Sequence, residues 1–530
     1  MSKLLIRGGT VVDGTGRSGF KADIAIDDDV ITEISPVISC VNRRILNGAG
    51  MVVTPGFIDI HSHTDASIFA NPFAESKLFQ GVTTEVVGNC GIGLFPVKPE
   101  RAEELSNYLN MHGFSLPEGG IRWSDFAEYA AVIEKMGIGL NLAPLVGHSA
   151  LRLAAMGSAN RPPTASEMGE MKSMLQIALE QGAWGLSTGL IYPPSSYATT
   201  DELIELGKLL TKYDALFTSH VRGESETLLD AIDEVIQIGE KSGVRVEVSH
   251  LKAIGEPNWG NGKLALDRID AARQRGIQIG ADQYPYEASN TALSVLVPDW
   301  AHDGGVIALL ERLVAPELQE RLKDEISKKI KIRGGALRIM IATLGSERNR
   351  QLAGKTLEEI AAMWHCSPAH AVMRLLIDEK ASVGAIYFAI SPKDLEYIIG
   401  NPYVAVGSDD RGLQADRNLS KAVHPRAYGT FSRVLGTFVR EKGLLSLEQA
   451  IYKMTGLPAE RLKLPRRGVI GTGYAADIVV FDPTIVKDLA EYTNPHRYGI
   501  GYRYVIVNGE IVVEEGRLTG KAPGRILRKK

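Results

Sequence analysis

The decapeptide GFIDIHSHTD, Gly56–Asp65, carries two histidines one residue apart at the end of an apolar run. In a strand successive side chains alternate faces, so His61 and His63 point the same way at about the same height. That placement suits two imidazoles gripping one divalent metal ion. Further donors recur where other apolar runs finish, in Asn89-Cys90-Gly91, Ser219-His220, Ser249-His250 and Ser408-Asp409-Asp410. Four imidazoles, one thiolate and one carboxylate meeting in one place suit Zn²⁺, which accepts nitrogen, sulfur and oxygen donors. Zinc polarises a carbonyl and lowers the pKa of water towards ~7. A carboxylate beside that water can take its proton and then deliver it to a departing nitrogen. Asp409, which ends the last of these runs after a small serine, is assigned that role, with Asp410 as the fallback. Cys40 and Cys366 read as ordinary small hydrophobes.

Eight strand-like runs would have to bring these residues together: GFIDIHSH, VTTEVVGNC, IGLNLAPLVGH, AWGLSTGL, LFTSH, VRVEVSH, IQIGADQYPY and YVAVGSDD. Helical segments fall between them, such as Ala165–Gln181 and Ser225–Ser242. Near-continuous apolar strands alternating with helices predict a parallel sheet, and eight units predict an α/β chain folded as a (β/α)₈ TIM-like barrel. The polar residues stand where each strand finishes, which is the catalytic rim of such barrels. From residue 291 to 342 the rhythm breaks, with a charged helix-like segment at Pro316–Lys331. This is read as an insertion after strand seven, a lid or a small subdomain within the barrel. Residues 1–55 and 466–530 are instead short strands divided by turns. Asn508-Gly509, between alternating apolar residues, is a two-residue hairpin signal. The two ends are expected to build one β domain, leaving 56–465 as the catalytic barrel.

At 530 residues the chain exceeds the ~250–300 at which single cores stop growing, so more than one domain is expected. It is 44% hydrophobic and 23% charged with a net charge of −4, which gives no reason to invoke nucleic acid or an anionic membrane. No apolar run approaches the ~20 residues of a membrane span, and the start lacks a secretory core. Three cysteines are too few for a disulfide framework, so a cytoplasmic protein is expected, its oligomeric state left open.

The HSH of strand one, the single histidines ending strands five and six, and the aspartate ending strand eight resemble the amidohydrolase superfamily. Within it, GNCG with Cys90, SHVRGE (Ser219–Glu224), VSHLK (Val248–Lys252), HPRAYGTF (His424–Phe431) and the terminal TGKAPGR (Thr519–Arg525) are similar to the D-aminoacylases, the N-acyl-D-amino-acid deacylases. The resemblance covers nearly the whole chain. It implies a metal-dependent hydrolase barrel with a small β-sandwich made from both termini. It implies a tight zinc site from Cys90, His220 and His250, and a second, weaker position from His61, His63 and Asp409 with Cys90 available to both. Many related binuclear hydrolases carry a carbamylated lysine on strand four; AWGLSTGL has none, which agrees with cysteine taking that place.

An N-acyl amino acid substrate also needs its α-carboxylate held. Lys252, two residues past His250, offers an ammonium; Tyr192, Tyr284 and Ser289 offer hydroxyls and match the family's carboxylate contacts; Arg222 is a further candidate cation. Between Tyr284 and Trp300 there is no Arg or Lys, and Leu293, Val295, Leu296 and Val297 are apolar, which favours a neutral substrate side chain. The leading expectation is zinc-dependent hydrolysis of N-acyl-D-amino acids, with handedness resting on the resemblance alone. A cyclic amidase of the hydantoinase or dihydroorotase type, and a non-catalytic scaffold on the same fold, are the alternatives.

Overall fold

The structure, a computed structural model, describes residues 3–415 and 422–530. Eight short parallel strands form its centre: β1 (Phe57–Asp59), β2 (Val82–Val87), β3 (Asn141–Pro144, continued by Val146–Gly147), β4 (Gly185–Gly189), β5 (Leu216–His220), β6 (Arg245–Val248), β7 (Ile279–Gln283) and β8 (Val404–Val406). Consecutive strands pair in parallel from β1 to β7, and β7 pairs with β8. The ring closes through a parallel bridge between Ser62 and Asp410. Asp409 N donates to His61 O at 2.7 Å and His63 N to Asp410 O at 3.0 Å. The closing bonds are therefore made by the metal-capable residues themselves. Every residue of these strands is buried, which is why their sequences run apolar without alternation.

Helices follow the strands and start where the sequence supplies caps. Thr164 and Glu167 form a reciprocal capping box at the head of Ala165–Glu180. The helix Leu228–Ser242 ends on Gly243 at φ 76°. No helix among the described residues is long and apolar enough to cross a membrane.

The two ends of the chain meet in one nine-stranded sheet. Ile478–Phe481 pairs antiparallel with Val52–Pro55 and so joins the C-terminal strands to the N-terminal ones. The sheet is continuous in its hydrogen bonds, and its halves enclose a shared core that includes Ile6, Ile24, Val53, Ile478 and Ile506. Asn508 and Gly509 turn the hairpin between Tyr502–Val507 and Glu510–Glu514, both at positive φ as a two-residue turn of this type demands.

After β7 the chain leaves the barrel and builds a three-stranded antiparallel sheet from Ser289–Ala292, Val383–Tyr387 and Ile339–Leu344, with Val383–Tyr387 in the middle. The insertion therefore runs on to Tyr387 rather than ending at 342. Its helices Leu357–Met363 and Pro368–Asp378 have the texture of ordinary barrel helices, which hides the boundary in the sequence. The charged segment expected at 316–331 is a short turn followed by the helix Gln319–Ile332.

Candidate metal centre

The ends of β1, β2, β5, β6 and β8 deliver six donors to one buried point. Cys90 Sγ lies 3.3 Å from His61 Nε2 and 3.4 Å from His250 Nε2. Asp409 Oδ1 lies 3.2 Å from His63 Nε2 and 3.5 Å from His61 Nε2. Two sets share the thiol, His61, His63, Cys90 and Asp409 in one and Cys90, His220 and His250 in the other, with donor atoms within 4.8 Å of one another in each. Ligands on a tetrahedral zinc with bonds of 2.0–2.3 Å stand about 3.3–3.8 Å apart, so the spacing fits. Unsatisfied atoms point the same way. Both ring nitrogens of buried His220 have no hydrogen-bond partner, and buried polar atoms left bare in this manner mark a missing partner.

Three of the donors sit on left-handed backbone: Cys90 at φ 54°, His250 at 38° and Asp409 at 51°. Non-glycine residues there cost of order 1–3 kcal/mol each and persist only when the surroundings hold them. One such constraint is visible at Gly189, the last residue of β4. A Cβ there would stand 2.0 Å from Cys90 O. β4 therefore ends in a residue without a side chain, and the Cys90 backbone in the loop after β2 takes the space beside it.

The charged state suits ligation. Burial alone would raise the Cys90 thiol, but His61 and His250 beside it hold it well below the usual thiol range. Burial likewise opposes ionisation of Asp409, but the Arg426 guanidinium, His250 and His63 keep its carboxyl well below the usual carboxylate range. Other groups orient the ligands from behind. Asp282 approaches His61 Nδ1 at 3.3 Å, and His250 Nδ1 faces Lys252 Nζ at 2.9 Å and Glu224 Oε1 at 3.3 Å. Lys77, fully buried beneath β1, β2 and β8, binds Asp59 at 2.8 Å, Glu85 at 3.1 Å, the Asp410 carbonyl at 3.0 Å and the Ser408 hydroxyl.

A cavity of about 320 Å³ opens above this cluster, lined by His63, Cys90, Tyr192 and Asp409 and, further out, by apolar Met111 and Phe114. A smaller recess beside it is lined by His220, Lys252, Ser289, Tyr192 and Asp409. Tyr192 donates or accepts at 2.8 Å with Thr291 Oγ1, and its ring lies 5.0 Å from that of His220. Tyr284 is buried with an unpartnered hydroxyl, between Lys252 and Arg426. Lys252 Nζ is engaged by Glu224 as well as by His250.

Arg222 is not brought to the site. Its guanidinium binds both oxygens of Glu234 at 2.9 Å and the carbonyls of Ser196 and Ala198, and it lines a neighbouring cavity instead. Asp410 stands outside both donor sets and receives Arg426 Nε at 3.3 Å.

Several supporting residues escape a reading for ligands. Arg426, buried, donates to Asp409 Oδ2 at 2.7 Å from within the HPRAYGTF motif. Glu224 ends SHVRGE; both motifs pointed to the residues without giving them a task. Lys77 and Asp282 carried no signal beyond being charged residues in apolar surroundings.

The description "Amidohydrolase family" matches residues 44–315 and 404–513. The chain is 35% identical over 525 residues to a D-aminoacylase of Alcaligenes xylosoxydans xylosoxydans, covering 99% of this chain and 97% of that protein. It is 36% identical over 526 residues to an N-acyl-D-glutamate deacylase of the same organism, covering 99% and 96%. The N-acyl-D-glutamate deacylase of Bordetella bronchiseptica, solved with zinc and a phosphonate mimic of the tetrahedral intermediate, superposes with a TM-score of 0.83 at 35% identity over 100% of both chains.

Proposed function

Because the chain belongs to the amidohydrolase family, we propose that it hydrolyses the amide bond of N-acyl-D-amino acids, releasing a carboxylate and a free D-amino acid. The observation that carries the reading is the meeting of Cys90, His220 and His250 with His61, His63 and Asp409 around one shared thiol.

Cys90, His220 and His250 would hold a tight zinc ion, and His61, His63 and Asp409, sharing the thiol, a second and weaker one. Bound there, zinc supplies a Lewis acid for the amide carbonyl and makes water acidic enough to attack at neutral pH. Arg426 occupies Oδ2 of Asp409, which leaves Oδ1 facing the two histidines and the cavity. Asp409, ionised at neutral pH, takes a proton from the attacking water as the carbon–oxygen bond forms. It returns that proton to the amide nitrogen as the carbon–nitrogen bond breaks, so the amine leaves neutral. Lys252, Ser289 and Tyr192, which line the smaller recess, receive the α-carboxylate, with the buried Tyr284 beside Lys252.

D-selectivity rests on the named relatives. A neutral side chain is favoured because residues 284–300 hold no cation. The cations facing the larger cavity are already engaged. Arg426 binds Asp409 and Asp410, and Arg411 donates to the carbonyls of Gly113 and His112. Residues 56–465 carry the chemistry, and the sheet from the two termini frames it. The three free thiols fit the cytoplasm.

The test is hydrolysis of N-acetyl-D- and L-leucine, phenylalanine and glutamate beside hydantoin and dihydroorotate. The reading expects the neutral D-substrates to be turned over fastest; preference for a cyclic amide would replace it with the cyclic-amidase alternative. Asp409→Asn should abolish turnover while zinc bound by Cys90, His220 and His250 stays; near-parental activity would refute the role of Asp409.

A further inference from the structure

The smaller recess contains one charged residue with no place in the account so far. Arg333 caps the C-terminal end of the helix Gln319–Ile332, inside the insertion. Its guanidinium lies over the ring of Tyr387, 5.3 Å from the centroid. The residue lines the same recess as Lys252, Ser289, His220 and Asp409. It also lines the outer cavity of about 300 Å³ that adjoins this recess.

Charge accounting sets Arg333 apart. Lys252 is paired with Glu224 inside the recess, so that couple is neutral overall. Arg426 is shared by Asp409 and Asp410 and so has no charge to spare, and Arg222 is drawn off to Glu234. Among the described residues no carboxylate or carbonyl holds the Arg333 guanidinium. Held over the Tyr387 ring, it has its N–H donors available, and a guanidinium can receive a carboxylate through two parallel hydrogen bonds.

We infer that Arg333, delivered by the insertion, supplies the net positive charge that selects substrates bearing a free α-carboxylate. This rests on the N-acyl-D-amino acid reading and adds to it a residue from outside the barrel strands. Lys252, Ser289 and Tyr192 then shape the recess, while Arg333 gives it its charge preference.

The experiment compares N-acetyl-D-leucine with N-acetyl-D-leucinamide, whose α-carboxylate is replaced by a neutral carboxamide, on zinc-loaded parent, Arg333→Met and Arg333→Lys. A charge-assisted contact of this kind predicts a rise in KM for the acid of about 10- to 100-fold in Arg333→Met, with kcat within about 3-fold. KM for the carboxamide should move by no more than about 2-fold, and Arg333→Lys, which keeps the charge but not the two-pronged contact, should recover only part of the acid's KM. The acid-to-carboxamide preference is a ratio measured on one sample, so a partly folded variant does not distort it. Arg333→Gln serves if the methionine variant is insoluble. Equal effects on both substrates, or an unchanged KM for the acid, overturn the assignment of Arg333 and leave the N-acyl-D-amino acid reading standing. A parent enzyme that hydrolyses neither substrate overturns both.

Discussion

Lys77→Met removes one ammonium from a place where nothing can replace it. Lys77, Asp59 and Glu85 are all fully buried, and the ammonium reaches both carboxylates, at 2.8 and 3.1 Å. Deleting one partner of a buried ion pair costs about 3–5 kcal/mol, because the remaining charge is left uncompensated. Here two carboxylates are stranded together, which places the expectation at the upper end. A domain of 150–250 residues loses about 2–4 °C per kcal/mol, and a longer chain loses less, so the melting temperature should fall by about 5–10 °C. The sign with pH follows from the same electrostatics. A stranded carboxyl has its folded-state pKa raised above about 4.3, so the penalty is full at neutral pH and is relieved as pH falls through the raised value. The lesion should also reach the metal. Asp59 lies two residues before His61, and the ammonium holds Ser408 and the Asp410 carbonyl on either side of Asp409. Zinc binding at the position of His61, His63 and Asp409 should weaken about 10- to 100-fold, the usual effect of losing an outer-shell partner. Binding at Cys90, His220 and His250 should change little. Thermal melts from pH 5 to 8 and chelator-competition titrations read both effects. A variant melting within about 2 °C of the parent, with both zinc affinities unchanged, would refute the reasoning.

Two further substitutions probe residues away from the reaction. Arg222→Ala should leave KM for N-acetyl-D-amino acids within about 2-fold of the parent, since the guanidinium is spent on Glu234; a large, carboxylate-specific rise would return it to the binding site. Lys453 is buried, and that burial lowers its ammonium to about 7. Its unfolded value is 10.5, so the unfolded chain alone is protonated between those values, and stability rises with pH across that window. Lys453→Met should therefore raise stability by a few kcal/mol at pH 7 and by progressively less towards pH 10, as measured by chemical denaturation. A gain that does not shrink with pH would contradict the sign.

Much of the donor cluster was legible because each donor stands at or just past a strand end, and strand ends announce themselves locally. HSH has the period of a strand written into it, and Ser219-His220, Ser249-His250 and Ser408-Asp409 each close a short apolar run. The hairpin at Asn508-Gly509 was equally local. What the chain did not disclose depends on distant partners. Arg222 stands two residues past a ligand, as Lys252 does, yet it turns to Glu234 on the helix Leu228–Ser242 while Lys252 turns to Glu224 and the recess. The end of the insertion was hidden because Val383–Tyr387 finds its partner, Ser289–Ala292, across four intervening helices, the last two of unremarkable composition. Lys77 sits on the four-residue helix Glu75–Leu78, where nothing in its neighbours reveals that two strands and a loop close over it. Arg333 reaches the recess only because the end of the helix Gln319–Ile332 comes up against the segments that follow β5 and β6.

The central claim is that sulfur from one loop and nitrogen from two strands hold the ion on which hydrolysis depends. Zinc per chain and release of free D-leucine from N-acetyl-D-leucine, measured on the same samples of parent and Cys90→Ala, test it most directly. The account predicts stoichiometric zinc and turnover in the parent, and loss of both in the variant. A variant that keeps its zinc and its rate would contradict it.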